Sequence, residues 1–270
     1  MTISTGQPVV TISIVSHHHG HMLQGLISQI AHFAKETPTE VVLTLNLLDG
    51  ADAAPDFQAL PHTIIRNPRP LGFAENHNQA FTRANGMYFC VLNPDIVFKA
   101  NPFPTLLNLL ESDVADVVAP RVLSPEGRVE DSARRVPTPW GAAMRLLYPR
   151  GRPEYAETAG TFFPDWIAGM FMLIRRATFA RLGGFDERYH LYYEDADFCL
   201  RLQLLSGKIA VANDVSVVHD AQRASRKSLV HLRWHLVSAA RFFISSVFLR
   251  ACFALPRRPQ NTSSSGAAEA

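Results

Sequence analysis

Three acidic side chains fall within the four residues Glu194-Asp195-Ala196-Asp197. Like charges this close raise one another's pKa, which suits a general base. Acids that open a helix also complement its dipole, so plain capping is the alternative role. Asp95 follows Asn93-Pro94. The proline ends the hydrogen-bond ladder of the strand before it, which leaves the carboxylate off the strand end. There it is a hard oxygen ligand suited to Mg²⁺ or Mn²⁺ holding a diphosphate, or else a turn aspartate. His219 closes an apolar run, with a structural or a ligand role open to it. Ser16 is followed by His17-His18-His19 in a strand-to-helix turn, open to a transition metal, a helix cap or a nucleotide contact.

Such groups act only if rigid elements hold them. Val9–Ser16 is a β-branched apolar run that predicts a buried parallel strand. Helical spacing follows over His21–Phe33 at Leu23, Leu26, Ile27 and Ile30. Strands are expected at Glu40–Asn46, Thr63–Arg66, Tyr88–Leu92 and Val114–Ala119. Helices are expected at Phe73–Asn85, closed by Gly86, and around Leu106–Leu110. Beyond Pro120 the rhythm breaks, and 121–165 reads as loops with one helix near Trp140–Leu147. Trp166–Ile174 then predicts one strand, Tyr193–Leu205 a helix, Ile209–His219 a strand and Leu229–Phe253 a long helix. The alternation predicts an α/β fold, a doubly wound, mostly parallel, Rossmann-like sheet with a C-terminal helical extension. Ligands of such sheets bind beyond the carboxyl ends of the strands. Ser16, Asn46, Asp95 and His219 all stand at those ends.

Composition sets the outer limits. The 270 residues are 47% apolar and 19% charged, which suits a packed core and excludes a disordered, collagen-like or coiled-coil chain. Cys90, Cys199 and Cys252 are odd in number and far apart, which excludes a disulfide scaffold or four-cysteine zinc site and predicts a reducing compartment. Residues 221–260 hold eight Lys/Arg and no Asp or Glu, while the first 220 residues carry 18 basic against 23 acidic groups, net −5. A basic end on an acidic body predicts an anionic partner there. Apolar residues separate those arginines and no nucleic-acid motif appears, so a nucleic acid is not expected. The N-terminus lacks a basic stretch ahead of its apolar run, so no secretory leader is expected. Phe242–Leu255 contains Arg250 and falls short of the roughly 20 residues that a membrane span needs.

From Val9 to Phe243 the chain resembles a family 2 glycosyltransferase with the GT-A fold. The segment WIAGMFMLIRRATFARLGGFDERYHLYYEDADFCLR (166–201) carries most of the resemblance, through Gly-Gly-Phe-Asp-Glu and then Glu-Asp-x-Asp. LGFAENHNQAF (71–81) followed by VLNPDI (91–96) is a second block. EDSARRVPTP (130–139) and HLRWHLVSAARFF (231–243) are similar to the bacterial rhamnosyltransferase branch of surface polysaccharide synthesis.

The resemblance implies an inverting transferase that moves a sugar, L-rhamnose by the branch, from a dTDP- or UDP-linked donor. The implied acceptor is a glycan or a polyprenyl-diphosphate-linked sugar. Asp195 is implied as the base, with Glu194 beside it. Asp95 and His219 are implied to hold Mg²⁺ or Mn²⁺. Ser16, His17, Asn46, Asn67, Gly72, Asn78, Asn93 and Asp95 would line the donor. Trp166, Ala168, Gly169 and Arg134 would border the acceptor. Residues 1–120 would form the nucleotide-sugar-binding half and 121–228 the acceptor-binding and catalytic half of the same domain. A basic amphipathic helical extension over 229–260 and a disordered tail over 261–270 would follow. The implied location is cytoplasmic, peripheral at the inner face of the membrane.

The chain also departs from the family pattern. Where the family has Asp-Asn-x-Ser after strand two, this chain has Leu45-Asn46-Leu47-Leu48, and Pro70 replaces the second Asn of Asn-x-x-Asn-x-Gly-Phe. Base recognition would then fall to Asn46 and His17, or the nucleotide would differ. A degenerate GT-A domain that binds a nucleotide sugar or a partner without catalysis is the alternative. In the C-terminal helix Arg233, Arg241 and Arg250 recur at eight and nine residues, placing them on roughly one side. Leu232, Leu236, Phe243, Val247 and Phe253 would spread over the other faces. This pattern suits a membrane interface or a helix packed on the sheet with solvated arginines.

Overall fold

The computed structural model describes residues 7–17, 19–46, 54–147, 153–155, 160–220 and 229–255. His18, Leu47, Leu48, the basic residues of 221–228 and everything past 255, the expected tail included, lie outside them. The first half runs β1 (Val10–Ser16), α1 (Gly20–Phe33), β2 (Thr39–Leu45), β3 (His62–Arg66), α2 (Phe73–Phe81), β4 (Tyr88–Leu92), β5 (Ile96–Phe98), α3 (Phe103–Glu111) and β6 (Val117–Leu123). The second half runs β7 (Ala133–Arg134), α4 (Pro139–Leu147), β8 (Thr161–Phe162), β9 (Trp166–Ile167), β10 (Phe171–Arg175), α5 (Arg176–Arg181), α6 (Glu194–Leu204), β11 (Ile209–His219), α7 (Leu229–Phe243) and α8 (Ser246–Ala254).

The main sheet has the order β3-β2-β1-β4-β10-β6-β11-β5, with β8 on β11. β3, β2, β1 and β4 are mutually parallel, as are β6 and β11. β10 is antiparallel to both β4 and β6. It enters the sheet where its neighbours end. Residues 168–170, which lead into it, therefore lie at the same edge as the carboxyl ends of β4 and β11.

Both faces of the sheet are covered. Val10, Ile12 and Ile14 of β1 pack with Leu23 and Ile27 of α1 and with Leu106 and Leu110 of α3. The alternate residues of β4 and β10, Phe89, Val91, Met172 and Ile174, turn to the other face. There they meet Phe179 of α5, Phe198 and Leu202 of α6, and Phe242 and Phe248 of α7 and α8. The period-two alternation of strands under helices on both sides gives this three-layer arrangement.

Several elements differ from the sequence reading. The apolar run 166–174 is two strands, because the chain turns at Gly169-Met170. α2 stops at Phe81, so Gly86 is not its cap. A Cβ at Gly86 would lie 2.5 Å from the backbone nitrogen of Thr11, so the residue permits close approach to β1. The strand expected at Val114–Ala119 is shifted to Val117–Leu123. The long C-terminal helix breaks at Ile244-Ser245 into a pair bent by 55°. There Ser245 accepts the amide of Phe248 at 3.1 Å and caps α8. With the helix broken, spacing alone no longer puts Arg250 on one side with Arg233 and Arg241.

Gly72 joins the two halves near the site. Phe73 donates its amide to the His190 carbonyl at 2.8 Å, and a Cβ on Gly72 would stand 2.5 Å from that carbonyl oxygen. Gly72→Ala is expected to destabilise the protein by ~1–3 kcal/mol, because backbone has to move. Equilibrium denaturation checks this, and a midpoint equal to the parent's contradicts it.

Candidate active site

The β5 strand brings Asp95 and His219 together. It starts one residue after Asp95 and runs antiparallel to β11, with Ile96 opposite His219. Asp220 donates its amide to the Asp95 carbonyl at 2.9 Å. His219 Nε2 then lies 3.2 Å from Asp95 Oδ2, and its Nδ1 lies 2.7 Å from Glu130 Oε2. Burial alone would raise the pKa of Asp95. The hydrogen bond and charge of His219 outweigh it, with a contribution from His19, and hold the carboxyl below the usual aspartate range. Burial would lower His219, but the two carboxylates overcome it and lift the imidazole to about 9.

This histidine has a consequence for stability. A folded-state pKa of about 9 against 6.5 means that the folded protein holds a proton the unfolded chain releases. The resulting stabilisation is complete below pH 6.5 and is lost as pH climbs toward 9. Melting temperatures of the metal-free protein are expected to fall across that window, and the His219→Gln variant is expected to show a flatter profile. Parallel profiles for the two proteins would contradict the assignment.

The fit of a divalent cation can be read from the same atoms. Asp95 Oδ1 is buried and has no hydrogen-bond partner among the described residues. Glu130 on Nδ1 orients the ring of His219 so that Nε2 faces the carboxylate of Asp95, the usual outer support of a metal-binding histidine. Among the described residues no three His, Cys, Asp or Glu side chains form a metal cluster. A cation at Asp95 would complete its shell with diphosphate oxygens and water, as Mg²⁺ commonly does. Asp95 and His219 therefore fit the role that the sequence suggests.

The turn into β10 supplies the other half. Asn93 donates its amide to the Met170 carbonyl at 2.9 Å, which fixes residues 168–170 beside the end of β4. Gly169 in turn donates its amide to Asp195 Oδ2 at 3.0 Å, and Ala196 donates to Oδ1 at 2.8 Å. A Cβ on Gly169 would come within 2.8 Å of the tip of the Phe73 ring, so a larger residue there would have to displace that ring. Burial raises the pKa of Asp195, while the two amides and the charge of Arg134 favour its ionised form. The result is a carboxylate that is both fixed and basic.

Its neighbours have other roles. Glu194 is 4% exposed, and burial followed by the charge of Asp195 raises its pKa well above the usual range. Its Oε2 is buried with no hydrogen-bond partner among the described residues, beside the Asp195 carboxylate. Asp197 pairs with Arg201 at 2.7 Å, and Arg201 donates to the Leu182 and Gly184 carbonyls. That acid holds α6 to the preceding loop.

The segment 130–135 wraps both halves. Ser132 accepts the amide of Ala168 at 2.8 Å. Trp166 is buried, donates its indole N–H to the Arg135 carbonyl at 2.7 Å, and carries the Arg134 guanidinium 4.9 Å above its ring. The expected acceptor residues Trp166, Ala168, Gly169 and Arg134 are thus contiguous with Asp195. Glu130 opens the same EDSARRVPTP block, although nothing in that block marks it as the partner of His219.

The expected donor residues divide. Ser16 accepts the amide of His19 at 3.3 Å and closes the β1–α1 turn, and His17 is exposed beside it. Asn46, Asn67 and Asn76 instead form a buried amide chain. Asn67 Nδ2 donates to Asn46 Oδ1 at 2.8 Å and to Asn76 Oδ1 at 2.6 Å, and Asn46 brackets the backbone of Leu71. Asn46 and Asn67 therefore shape the loop after β3, while Asn67 Oδ1 is buried with no hydrogen-bond partner among the described residues. Asn78 donates to the Phe185 carbonyl and to Glu187 and accepts the Phe185 amide. Its amide group holds α2 to the 185–187 turn.

Against this geometry, the family model for glycosyl transferase family 2 matches residues 44–179. The chain belongs to glycosyltransferase family 2. This transferase is 29% identical over 187 residues to the rhamnosyltransferase WbbL of Escherichia coli, covering 63% of this chain and 69% of the relative. It is 26% identical over 261 residues to the N-acetylglucosaminyl-diphospho-decaprenol L-rhamnosyltransferase of Mycobacterium tuberculosis, covering 84% and 81%. Its fold is shared with a Pyrobaculum calidifontis mannosyltransferase solved with GDP-Man and Mn²⁺, at TM-score 0.58 and 19% identity, covering 88% of this chain and 65% of that one. It is shared also with S. aureus TarS bound to UDP-GlcNAc, at TM-score 0.61 and 13% identity, covering 92% and 73%. The GT-A architecture expected from the sequence is the one observed.

Proposed function

We propose that this transferase moves L-rhamnose from a dTDP- or UDP-linked donor to a lipid-diphosphate-linked sugar, with inversion at the anomeric carbon. The observation that carries the chemistry is the Asp195 carboxylate, held by the Gly169 and Ala196 amides at the edge where Asp95 and His219 meet. The sugar and acceptor are suggested by the relatives' names. Asp195 accepts the proton of the acceptor hydroxyl as its oxygen attacks the anomeric carbon from the face opposite the nucleotide. The sugar–phosphate bond breaks and the diphosphate leaves with the electron pair. Arg134, stacked on Trp166, lies on the acceptor side, and its charge favours the ionised form of Asp195 against the burial that raises its pKa. Asp95 and His219 would hold Mg²⁺ or Mn²⁺, which when bound supplies positive charge to the leaving diphosphate. The unpaired cysteines, Cys90 and Cys199 buried and Cys252 exposed, are in keeping with the cytoplasmic face of the membrane.

The test is a transfer assay with a panel of dTDP-, UDP- and GDP-sugars and an N-acetylglucosaminyl-diphospho-lipid acceptor, with Mn²⁺ or EDTA. Release of one nucleoside diphosphate per rhamnosylated product is expected from the dTDP or UDP donor. Donor binding without product from any of them would support the non-catalytic alternative.

A further inference from the structure

The α7–α8 pair has two unlike faces. One is packed on the domain through Ser238, Phe242, Phe248 and Ala251, all buried. The other is apolar and open. Val230, Leu236, Val237 and Leu249 are about half exposed, Ile244 is 78% exposed and Phe253 91%. Seven of the twelve large apolar side chains exposed among the described residues lie between 230 and 253, so this is a patch and not scatter. Val230, Arg233, Val237 and Ile244 follow the i, i+3, i+7 spacing of one helical stripe. Arg233 sits within that stripe and Arg250 stands exposed on α8, while Arg241 turns inward to the Arg188 carbonyl. No acidic residue occurs anywhere in 221–260.

We propose that this outer face docks on a bilayer surface bearing anionic headgroups. Apolar groups with arginines interspersed and no acids match a surface that is hydrocarbon below and negative above. A second copy of the chain offers the same patch and so brings arginine to arginine with no carboxylate between them. Among the described residues no single helix is long and apolar enough to cross a bilayer, and the pair is bent by 55° with one face packed on the core, which favours lying on the surface. The sequence pattern suggested one helix with an arginine side. The structure puts the lipid-facing set on two helices, on the side away from the domain.

The location of this face links it to the site. The inner side of α7 touches the two residues just before Glu194. Tyr192 OH lies 3.3 Å from His231 Nδ1, and the Tyr193 ring packs against His235 and Phe242. Both tyrosines hold left-handed backbone, φ +71° and +70°, a costly conformation for bulky residues that the helix contacts sustain. Docking would thus set the lipid surface one helix away from Asp195. The docking itself goes beyond the transferase reading and does not depend on it.

The experiment is co-sedimentation of the full chain with vesicles of phosphatidylcholine alone or mixed with phosphatidylglycerol. Binding is expected to the mixed vesicles, weakening as salt is added. The double variant Ile244→Ser/Phe253→Ser is expected to bind at least ~10-fold more weakly, since it removes the two most exposed apolar side chains of the face. Arg233→Glu/Arg250→Glu is expected to abolish the preference for phosphatidylglycerol. All these positions are exposed, and an unchanged melting temperature verifies folding. No binding by the parent chain, equal binding by the Ser variant, or a dimer in light scattering that the Ser variant dissolves would each overturn the proposal. Donor titration without vesicles is expected to be unchanged in both variants, so a failed docking is distinct from a failed transferase.

Discussion

Asp195→Asn is expected to lower the transfer rate by ~10²–10⁴-fold, the usual contribution of a positioned base. The asparagine keeps the shape and can still accept one of the two amide bonds from Gly169 and Ala196. It cannot take a proton. Donor affinity, measured by calorimetry with acceptor absent, is therefore expected to stay within a few-fold of the parent. The same variant relieves the charge that helps to raise Glu194, so stability is not expected to fall. Transfer at the parental rate would remove Asp195 from the mechanism. Loss of donor binding together with transfer would move it to the donor side.

Asp95→Ala is expected to remove the Mn²⁺ dependence of donor binding altogether. Three consequences converge on that side chain. It is the carboxylate at the end of β4, its Oδ1 is buried with no partner among the described residues, and its Oδ2 faces His219. Glu130→Gln provides the comparison. It alters only the support of His219, and losses of this kind cost ~10–100-fold in metal affinity. The Asp95 variant is expected to lose more than that and to bind donor equally in EDTA and Mn²⁺. A donor affinity that still responds to Mn²⁺ in Asp95→Ala would remove the cation from this site.

Much of the fold is legible in the sequence, for a physical reason. Buried parallel strands have little choice but to be apolar and β-branched, so the runs at 10–16, 39–45 and 88–92 stand out. The direction of β10 is not legible. Its apolar run would look the same in either orientation, and only Gly169 within it hints at a turn. The break at Ile244-Ser245 likewise leaves the apolar periodicity almost intact. Its one local sign is the pair of serines after Ile244, of which Ser245 is the cap.

The site divides along the same line. Asp95, Asp195 and His219 are recognisable because each follows or opens an element and carries a titrating group. Glu130 is not, since its partner is 89 residues away. Asn46, Asn67 and Asn78 are recognisable as polar groups near strand ends and helix starts. Whether an amide turns to a ligand or to its own backbone depends on the loop it meets, and here Asn46 and Asn78 hydrogen-bond to backbone while Asn67 Oδ1 has no partner among the described residues.

The reversed strand has a consequence for how such an enzyme can change. Because β10 runs against its neighbours, the proposed acceptor-side groups lie within one stretch, 130–170, together with the first turn of α6. The proposed donor-side groups come mostly from the first hundred residues. Among the described residues the two sets meet at Asn93 with Met170, Phe73 with Gly169 and Glu130 with His219. Exchange of the 130–170 stretch between related chains could therefore retarget the molecule that receives the sugar while the machinery that activates it is inherited unchanged. The Asn93–Met170 and Glu130–His219 contacts are the seams that a graft would have to preserve.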